Sequence, residues 1–422
     1  MNLTLAFARA VARTFFREVV LEGRDCLPKG GPVIFTPNHP NGLLDPILLT
    51  FLSPPFTLHF VAKAPLFKIP VFGSILRSLG AIPVMRKMDA AGDVDYTAFF
   101  GACVESLQSG GSIVIFPEGR SLPQSYLAPL KTGPARLFLM AQTKGVNVKI
   151  VPVGLNYERG TTFRSSVLVT IAPPLDTALF EKRNKDNPVE AVRELTEAIG
   201  QSLREHVIQA ETYRDRELML LLERMYGSVP DREDWNARFQ RLKLFESGLA
   251  RARSASPRRI ENLRQLLTRY ERLANTYRVD QTSRPWLLAL MPFAVIGWIL
   301  NILPYHLVDL LVRRYDASDA ATFKVVYSLF LFPMAYLAEA FAIEHWWSPA
   351  AAWIFAFTIL PLSYFSQYMS DWWEGHSPRL LSRPTRERET RQLVRLKDRI
   401  AQEVDTLARD LERSADSQPT TG

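Results

Sequence analysis

The segment PVIFTPNHPNGLLDP at residues 32–46 joins a short apolar run to an imidazole, a glycine-containing turn and a carboxylate. The run at 32–35 has the β-branched and aromatic composition of a buried strand. Pro46 disfavours the helical region for Asp45, which suits a helix N-cap with Pro46 at the first helical position. The segment therefore predicts a strand, an open turn and a helix, which is the unit of α/β folds.

His39 and Asp45 lie at the two ends of the predicted turn, and Asn41-Gly42 between them tolerates positive φ. The turn can therefore bring the imidazole against the carboxylate. A carboxylate that holds one ring nitrogen fixes the tautomer, and the other nitrogen can then accept a hydroxyl proton. Taken alone, the pair is more often a hydrogen-bonded histidine beside an ordinary helix cap.

Around this segment, short apolar runs alternate with helical patterns. The runs lie at 32–35, 57–62, 82–84, 112–116, 149–155 and 167–171, and helical patterns cover 94–108 and 135–143. This alternation predicts an α/β domain at residues 25–210, with a largely parallel sheet flanked by helices. Residues 211–285 are charged and predict a helical region.

The first 24 residues combine apolar side chains with Arg9, Arg13 and Arg17. The arginines interrupt the apolar run before any cleavage-like site, so we expect no cleavable signal peptide. The pattern predicts an amphipathic helix, which either lies on a membrane surface or packs on the core as a first helix.

A strongly apolar block at residues 286–370 predicts a C-terminal, membrane-embedded helical segment. The stretches 325–343 and 347–369 can each cross a hydrocarbon core, and Lys and Arg flank the block on both sides. Two crossings keep both flanks on the cytoplasmic side. The stretch 286–311, which contains Pro292 and Pro304, is then predicted to form a re-entrant or interfacial hairpin. Residues 371–422 predict a helix with an apolar stripe and a disordered tail.

Composition narrows the class of partner. The net charge is +8, and with the apolar block it favours an anionic membrane surface over nucleic acid. Two cysteines, Cys26 and Cys103, make neither a disulfide framework nor a metal cluster, so we expect a reducing compartment and no metal. The sequence has no nucleotide-type glycine-rich loop and no Gly-x-Ser-x-Gly elbow, which argues against a kinase and a serine hydrolase.

Three more runs end in polar turns. The run Phe116–Ser121 places Arg120 in a glycine-containing turn after a strand, where a guanidinium can bind an anionic group. The run 80–87 places Arg86 similarly, and the run 151–157 leads into Asn156-Tyr157. Singly, a strand-end arginine is more often solvated than functional.

In this order and spacing, the four runs resemble the glycerol-phosphate and lysophospholipid acyltransferase family over about residues 15–210. The resemblance implies that His39 is a general base and Asp45 its orienting acid. It also implies that Arg120 binds the acceptor phosphate, that Arg86 contacts the acceptor, and that Glu118 is structural or binds a hydroxyl. Gly119, Ser121 and Lys131 complete the expected binding set. Five residues separate His39 from Asp45, whereas the family usually has four.

The resemblance implies transfer of a fatty acyl group from acyl-CoA or acyl-carrier protein, as cosubstrate and without another cofactor, to glycerol 3-phosphate or 1-acylglycerol 3-phosphate. The expected partners are membrane lipids, the thioester donor and the phosphate-bearing acceptor, without nucleic acid. The expected location is the cytoplasmic membrane, with the catalytic domain facing the cytoplasm. Another lysolipid or dihydroxyacetone phosphate remains open as acceptor. So does a non-catalytic lipid-binding scaffold, although a scaffold needs none of His39, Asp45 and Glu118.

Overall fold

The structure is a computed structural model that describes residues 3–68, 72–85, 94–122, 126–158, 162–226, 235–277, 289–315, 317–381 and 387–416. The chain forms two compact units. The first contains Met1–Gln209 and Tyr315–Val325, and the second contains Ala210–Arg314 and Val326–Gly422.

The first unit is built on a seven-stranded sheet. Its strands are β1 (Glu18–Glu22), β2 (Val33–Pro37), β3 (Leu58–Lys63), β4 (Ile82–Val84), β5 (Ser112–Val114), β6 (Lys149–Tyr157) and β7 (Ser166–Ile171). The order is β1-β7-β6-β2-β5-β3-β4. All neighbouring strands are parallel except β6 and β7. The prediction of a largely parallel α/β sheet is confirmed.

Helices cover both faces of this sheet. They are α1 (Leu3–Phe15), α2 (Leu44–Leu49), α3 (Phe72–Ser78), α4 (Thr97–Gln108), α5 (Gly133–Thr143), α6 (Ala178–Asp186) and α7 (Pro188–His206). One buried cluster joins α1 and α2 to the sheet, and a second joins α4, α5 and α7 to it. A central strand such as β2 is buried along its whole length because both faces are covered.

The N-terminal segment differs from the single helix expected over residues 1–24. Helix α1 ends at Phe15, and Glu18–Glu22 form the edge strand β1 beside β7. The β-branched pair Val19-Val20 suits a strand better than a helix. Phe15 is buried in the core, whereas Leu3 and Phe7 are exposed. The second half of α1 therefore packs on the core, as one of the two alternatives requires.

Four helices of the second unit share a core of their own. They are α8 (Tyr213–Tyr226), α9 (Trp235–Ala255), α10 (Pro257–Tyr277) and the C-terminal helix α14 (Glu387–Asp416). Ile400 of α14 is fully buried in one cluster with Leu218 of α8 and Leu267 of α10. The predicted apolar stripe of the C-terminal helix thus packs on the charged helical region. The tail predicted to be disordered lies mostly beyond the described residues.

Three long apolar helices occupy the remaining segment: α11 (Met291–Val312), α12 (Ala317–Trp346) and α13 (Pro349–Leu381). Each contains a stretch of at least 22 residues that is long and apolar enough to cross a membrane. The break expected in the first of them is wrong, because α11 is one continuous helix. Pro292 lies in its first turn, where no helical hydrogen bond is lost, and Pro304 is accommodated inside it.

The three apolar helices are linked by polar side chains near their midpoints. Asn301 of α11 donates to Ser363 Oγ of α13 at 2.8 Å, and Tyr336 Oη of α12 donates to Asn301 Oδ1 at 2.6 Å. Large apolar side chains such as Trp298, Phe330 and Phe357 are exposed on these helices. Exposed apolar faces with a polar contact between the helices are typical of membrane segments.

Candidate active site

The candidate site lies at the carboxyl ends of β2 and β5, which are neighbours in the middle of the sheet. The chain leaves β2 toward α2 and leaves β5 toward the Phe116–Ser121 turn. Open α/β sheets bind ligands at this edge, where adjacent strands lead in different directions. The fold therefore brings together two of the four runs that were far apart in the sequence.

His39 and Asp45 meet across the turn after β2. His39 Nδ1 lies 2.7 Å from Asp45 Oδ2, and the carboxylate is fully buried. The imidazole stacks on the Phe116 ring, with centroids 3.8 Å apart. The side chain of His39 remains 16% exposed. One ring nitrogen is thus engaged and the ring plane is fixed, which leaves Nε2 as the nitrogen available to a substrate.

Tyr157 is a third member of this group, and sequence reasoning did not single it out. It is the last residue of β6, is buried, and donates its phenol to Asp45 Oδ1. Burial, followed by the nearby charge of Asp45, raises the pKa of Tyr157 well above its ordinary value. The phenol therefore stays protonated and remains a donor. The sheet register explains the contact, because Val153 pairs with Pro37 and β6 continues four residues farther to Tyr157.

Glu118 supports the turn from the side of β5. Its Oε1 accepts from the His39 backbone N–H at 2.7 Å, and its Oε2 accepts from the Ala128 N–H at 3.2 Å. Burial raises the pKa of the Glu118 carboxyl, and these two N–H donors act in the opposite direction. Both oxygens are used by the backbone, an arrangement that fits the structural alternative for Glu118 better than hydroxyl binding.

The long spacing between His39 and Asp45 is accommodated by the Asn-Gly turn. Gly42 adopts φ of +44°, and the Leu44 N–H donates to the Asn41 carbonyl at 2.9 Å. Helix α2 consequently begins at Leu44, and Asp45 lies in its first turn instead of at the expected N-cap. The carboxylate is then free to turn back, where it also accepts from the Asn41 N–H at 2.8 Å.

The structure describes two of the three predicted cationic residues. Arg120 and Lys131 are both exposed beside the turn after β5. Gly119 has φ of +71°, and a Cβ there would lie 3.3 Å from Cγ of Lys131, so the lysine stem passes beside it. Ser121 Oγ accepts from the Gly42 N–H at 2.7 Å and thus holds the turn. Arg86 lies outside the described residues.

The arrangement can carry out proton abstraction from a hydroxyl. A buried carboxylate orients an imidazole whose second nitrogen remains available, and two exposed cations lie on or beside the adjoining turn. Such a site suits an acceptor that carries both a hydroxyl and an anionic group.

Comparison with known proteins identifies the family. Residues 18–156 match the family model described as acyltransferase, and these residues span β1 to β6 and contain His39, Asp45 and Glu118. Residues 18–156 of this chain therefore form an acyltransferase-family domain. The predicted resemblance is confirmed.

Two curated relatives and one solved structure illustrate the match. Glycerol-3-phosphate O-acyltransferase 1 of Saccharomyces cerevisiae is 32% identical over 32% of this chain and 19% of its own length. The chloroplastic 1-acyl-sn-glycerol-3-phosphate acyltransferase BAT2 of Brassica napus is 30% identical over 40% of this chain and 50% of its own. The 1-acyl-sn-glycerophosphate (LPA) acyltransferase PlsC of Thermotoga maritima aligns with TM-score 0.36 and 22% identity, over 48% of this chain and 76% of that one.

These two curated relatives are thus matched over 19% and 50% of their own length. In this chain the family model covers residues 18–156, from β1 into β6. The helices α8–α14 lie outside the family model.

Proposed function

We propose that this protein is a membrane-bound acyltransferase of phospholipid biosynthesis. It transfers a fatty acyl group from acyl-CoA or acyl-carrier protein to the hydroxyl of glycerol 3-phosphate or 1-acylglycerol 3-phosphate. The observation that carries the proposal is the His39–Asp45 pair, with its 2.7 Å contact, at the carboxyl edge of an acyltransferase-family sheet.

In the proposed reaction, His39 Nε2 takes the proton from the acceptor hydroxyl while the hydroxyl oxygen attacks the thioester carbonyl. The carbon–sulfur bond then breaks, and the leaving thiolate takes the proton from the imidazolium. Asp45 stabilises the imidazolium through Nδ1, and stacking on Phe116 keeps the ring in one orientation. The thioester is already activated, so no covalent enzyme intermediate is required.

Arg120 and Lys131 are the proposed phosphate-binding residues, since both are exposed, Arg120 on the Phe116–Ser121 turn and Lys131 beside it. Arg86 is proposed as a further contact because of its place in the resembling sequence. Ser121, Gly119 and Glu118 act through the turns that they shape. This division separates residues that touch the acceptor from residues that position His39.

The acyl chain is proposed to enter from the membrane side. The apolar helices supply the membrane attachment, and Leu66 and Phe67 after β3 are half-buried candidates for an apolar wall. The proposed location is the cytoplasmic membrane with the site facing the cytoplasm, because both soluble donors are made there.

The proposal is tested by acyl transfer with the purified full chain in phospholipid vesicles. Labelled acyl-CoA and acyl-carrier protein are offered with glycerol 3-phosphate, 1-acylglycerol 3-phosphate, dihydroxyacetone phosphate and a lysophospholipid. We expect transfer to a glycerol-phosphate acceptor and its loss by about 10²–10⁴-fold in His39→Ala, the usual contribution of a positioned general base. Asp45→Asn should lose less, because the His39 imidazole itself remains in place as the base.

Vesicle insertion and circular dichroism of both variants serve as controls for folding. Turnover of His39→Ala close to that of the wild type would exclude the mechanism. Absence of transfer to every acceptor, with the chain folded and inserted, would favour the scaffold alternative.

A further inference from the structure

The turn that carries His39 and Asp45 is held at four backbone N–H groups by side-chain oxygens. The N–H groups of His39, Asn41 and Gly42 donate to Glu118, Asp45 and Ser121 respectively. The fourth, that of Leu43, donates at 2.9 Å to Thr322 Oγ1. Three acceptors belong to the family domain, whereas the fourth comes from 279 residues farther along the chain.

Thr322 is fixed in place by its neighbours on α12. Val325, three residues farther and on the same face of the helix, is buried in the apolar cluster that includes Leu44 and Leu48 of α2. Among the described residues, all other members of that cluster lie at or before Ile171, the end of β7. One hydrogen bond and one shared apolar cluster thus attach the first turns of α12 to the segment Leu43–Leu48.

The hydrogen bond of Thr322 is unusual for a threonine in a helix. A threonine hydroxyl there commonly bonds the carbonyl of the preceding turn of its own helix, as Thr358 of α13 bonds Ile354 at 2.7 Å. Thr322 instead supplies an acceptor to a half-buried N–H of the turn. A donor left without a partner at such a position is costly, so the contact restrains the turn.

We propose that Thr322 is a positioning residue for the proposed acyl transfer and that the start of α12 completes the active site. It acts through Leu43, which lies between the positive-φ Gly42 and the carboxylate of Asp45. The loss of this bond loosens the turn between the base and its orienting acid. The inference rests on the proposed function, and it makes activity depend on a helix outside the matched family domain.

The test compares Thr322→Val with Thr322→Ser in the full chain, in vesicles, with the best acceptor from the panel. Thr322→Val keeps the shape but lacks the hydroxyl, and we expect kcat to fall about 3- to 10-fold, the effect of one lost hydrogen bond. Both KM values should stay near those of the wild type, because Thr322 touches neither substrate. Thr322→Ser retains an acceptor oxygen and should restore kcat.

Thr358→Val is the matched control, because it removes a hydroxyl that bonds only within its own helix. It should leave kcat unchanged. Should Thr322→Val fail to insert, the smaller Thr322→Ala makes the same comparison. Wild-type kcat in the hydroxyl-free variant, or equal losses in the valine and serine variants, overturns the inference. If the wild-type chain acylates no acceptor at all, the proposed function fails instead.

Discussion

At the scale of single residues, side chains from distant parts of the chain hold the turn that carries His39 and Asp45. His39 and Asp45 could be paired in advance because proline and Asn-Gly chemistry restricts the turn between them. Tyr157, Ser121 and Thr322 are joined to that turn by long-range contacts, spaced by 79 to 279 residues. Only the sheet register and the docking of α12 reveal such contacts. Local patterns do not contain them.

Tyr157 provides a pH test of the site. Burial raises the pKa of its phenol well above the ordinary value, so the phenol donates to Asp45 across the whole working pH range. Tyr157→Phe removes this donor from the buried carboxylate that orients His39. We therefore expect kcat/KM to fall about 3- to 10-fold, the effect of one lost hydrogen bond, by the same factor at every pH.

The pH–rate profile of Tyr157→Phe is measured from pH 5 to 9 beside that of Tyr226→Phe, whose tyrosine is 41% exposed on α8. The control should retain the wild-type profile. A wild-type rate in Tyr157→Phe would show that the bond to Asp45 does not support catalysis, and a loss that varies with pH would contradict a phenol that stays protonated.

Arg120 tests how the acceptor is bound. A charge-assisted hydrogen bond to phosphate contributes about 1.5–3 kcal/mol, so Arg120→Ala should raise the acceptor KM by about 10- to 100-fold. The thioester KM should hardly change. Arg193→Ala, which removes an exposed arginine paired with Glu190 on α7, is the control. Equal increases in both KM values would make Arg120 a structural residue.

At the scale of elements, the strands marked by apolar runs were predicted well. Elements that depend on packing against other elements, such as β1 and α11, were not. All six apolar runs became strands, within a few residues at each end. Strand β1 was missed because one helical pattern was extended across the β-branched pair Val19-Val20, which instead pairs with β7. Pro304 was given too much weight, since apolar neighbours can stabilise a helix around one lost hydrogen bond.

The apolar stripe of the C-terminal helix α14 packs against α8 and α10. Leu396, Ile400 and Leu407 lie in one buried cluster with residues of α8 and α10. A helix that follows the apolar block thus shares a core with helices that precede it. Buried contacts of this kind can form only on one side of a membrane.

At the scale of the whole molecule, this shared core restricts how the chain can cross a bilayer. Helices α10 and α14 flank the apolar block, so an even number of crossings must separate them. Within the described part of the chain three helices have the length to cross, and an even number of crossings among them leaves at least one out. The contacts of Thr322 and Val325 with the acyltransferase domain place the start of α12 on the side of that domain.

We therefore predict that α11 is the helix that does not cross. No apolar stretch of spanning length separates the acyltransferase domain from α10 in the sequence, so α11 is expected to begin and end on the same side. The two-crossing prediction requires such a placement, although α11 is a single helix and not the expected hairpin. Helices α12 and α13 remain as the crossing pair, joined at Trp347-Ser348.

Cysteine labelling distinguishes this topology from three crossings. In a variant that lacks Cys26 and Cys103, single cysteines are introduced at Ser348 and at Ser414, and an impermeant thiol reagent is added outside intact cells. We expect Ser348→Cys to react and Ser414→Cys to react only after the membrane is opened, since Lys and Arg on both flanks favour the cytoplasmic side. With three crossings and the same orientation of the catalytic domain, Ser414→Cys would react and Ser348→Cys would be protected. That result would separate α14 from α10 and contradict their common core, and it would leave the contact between His39 and Asp45 unaffected.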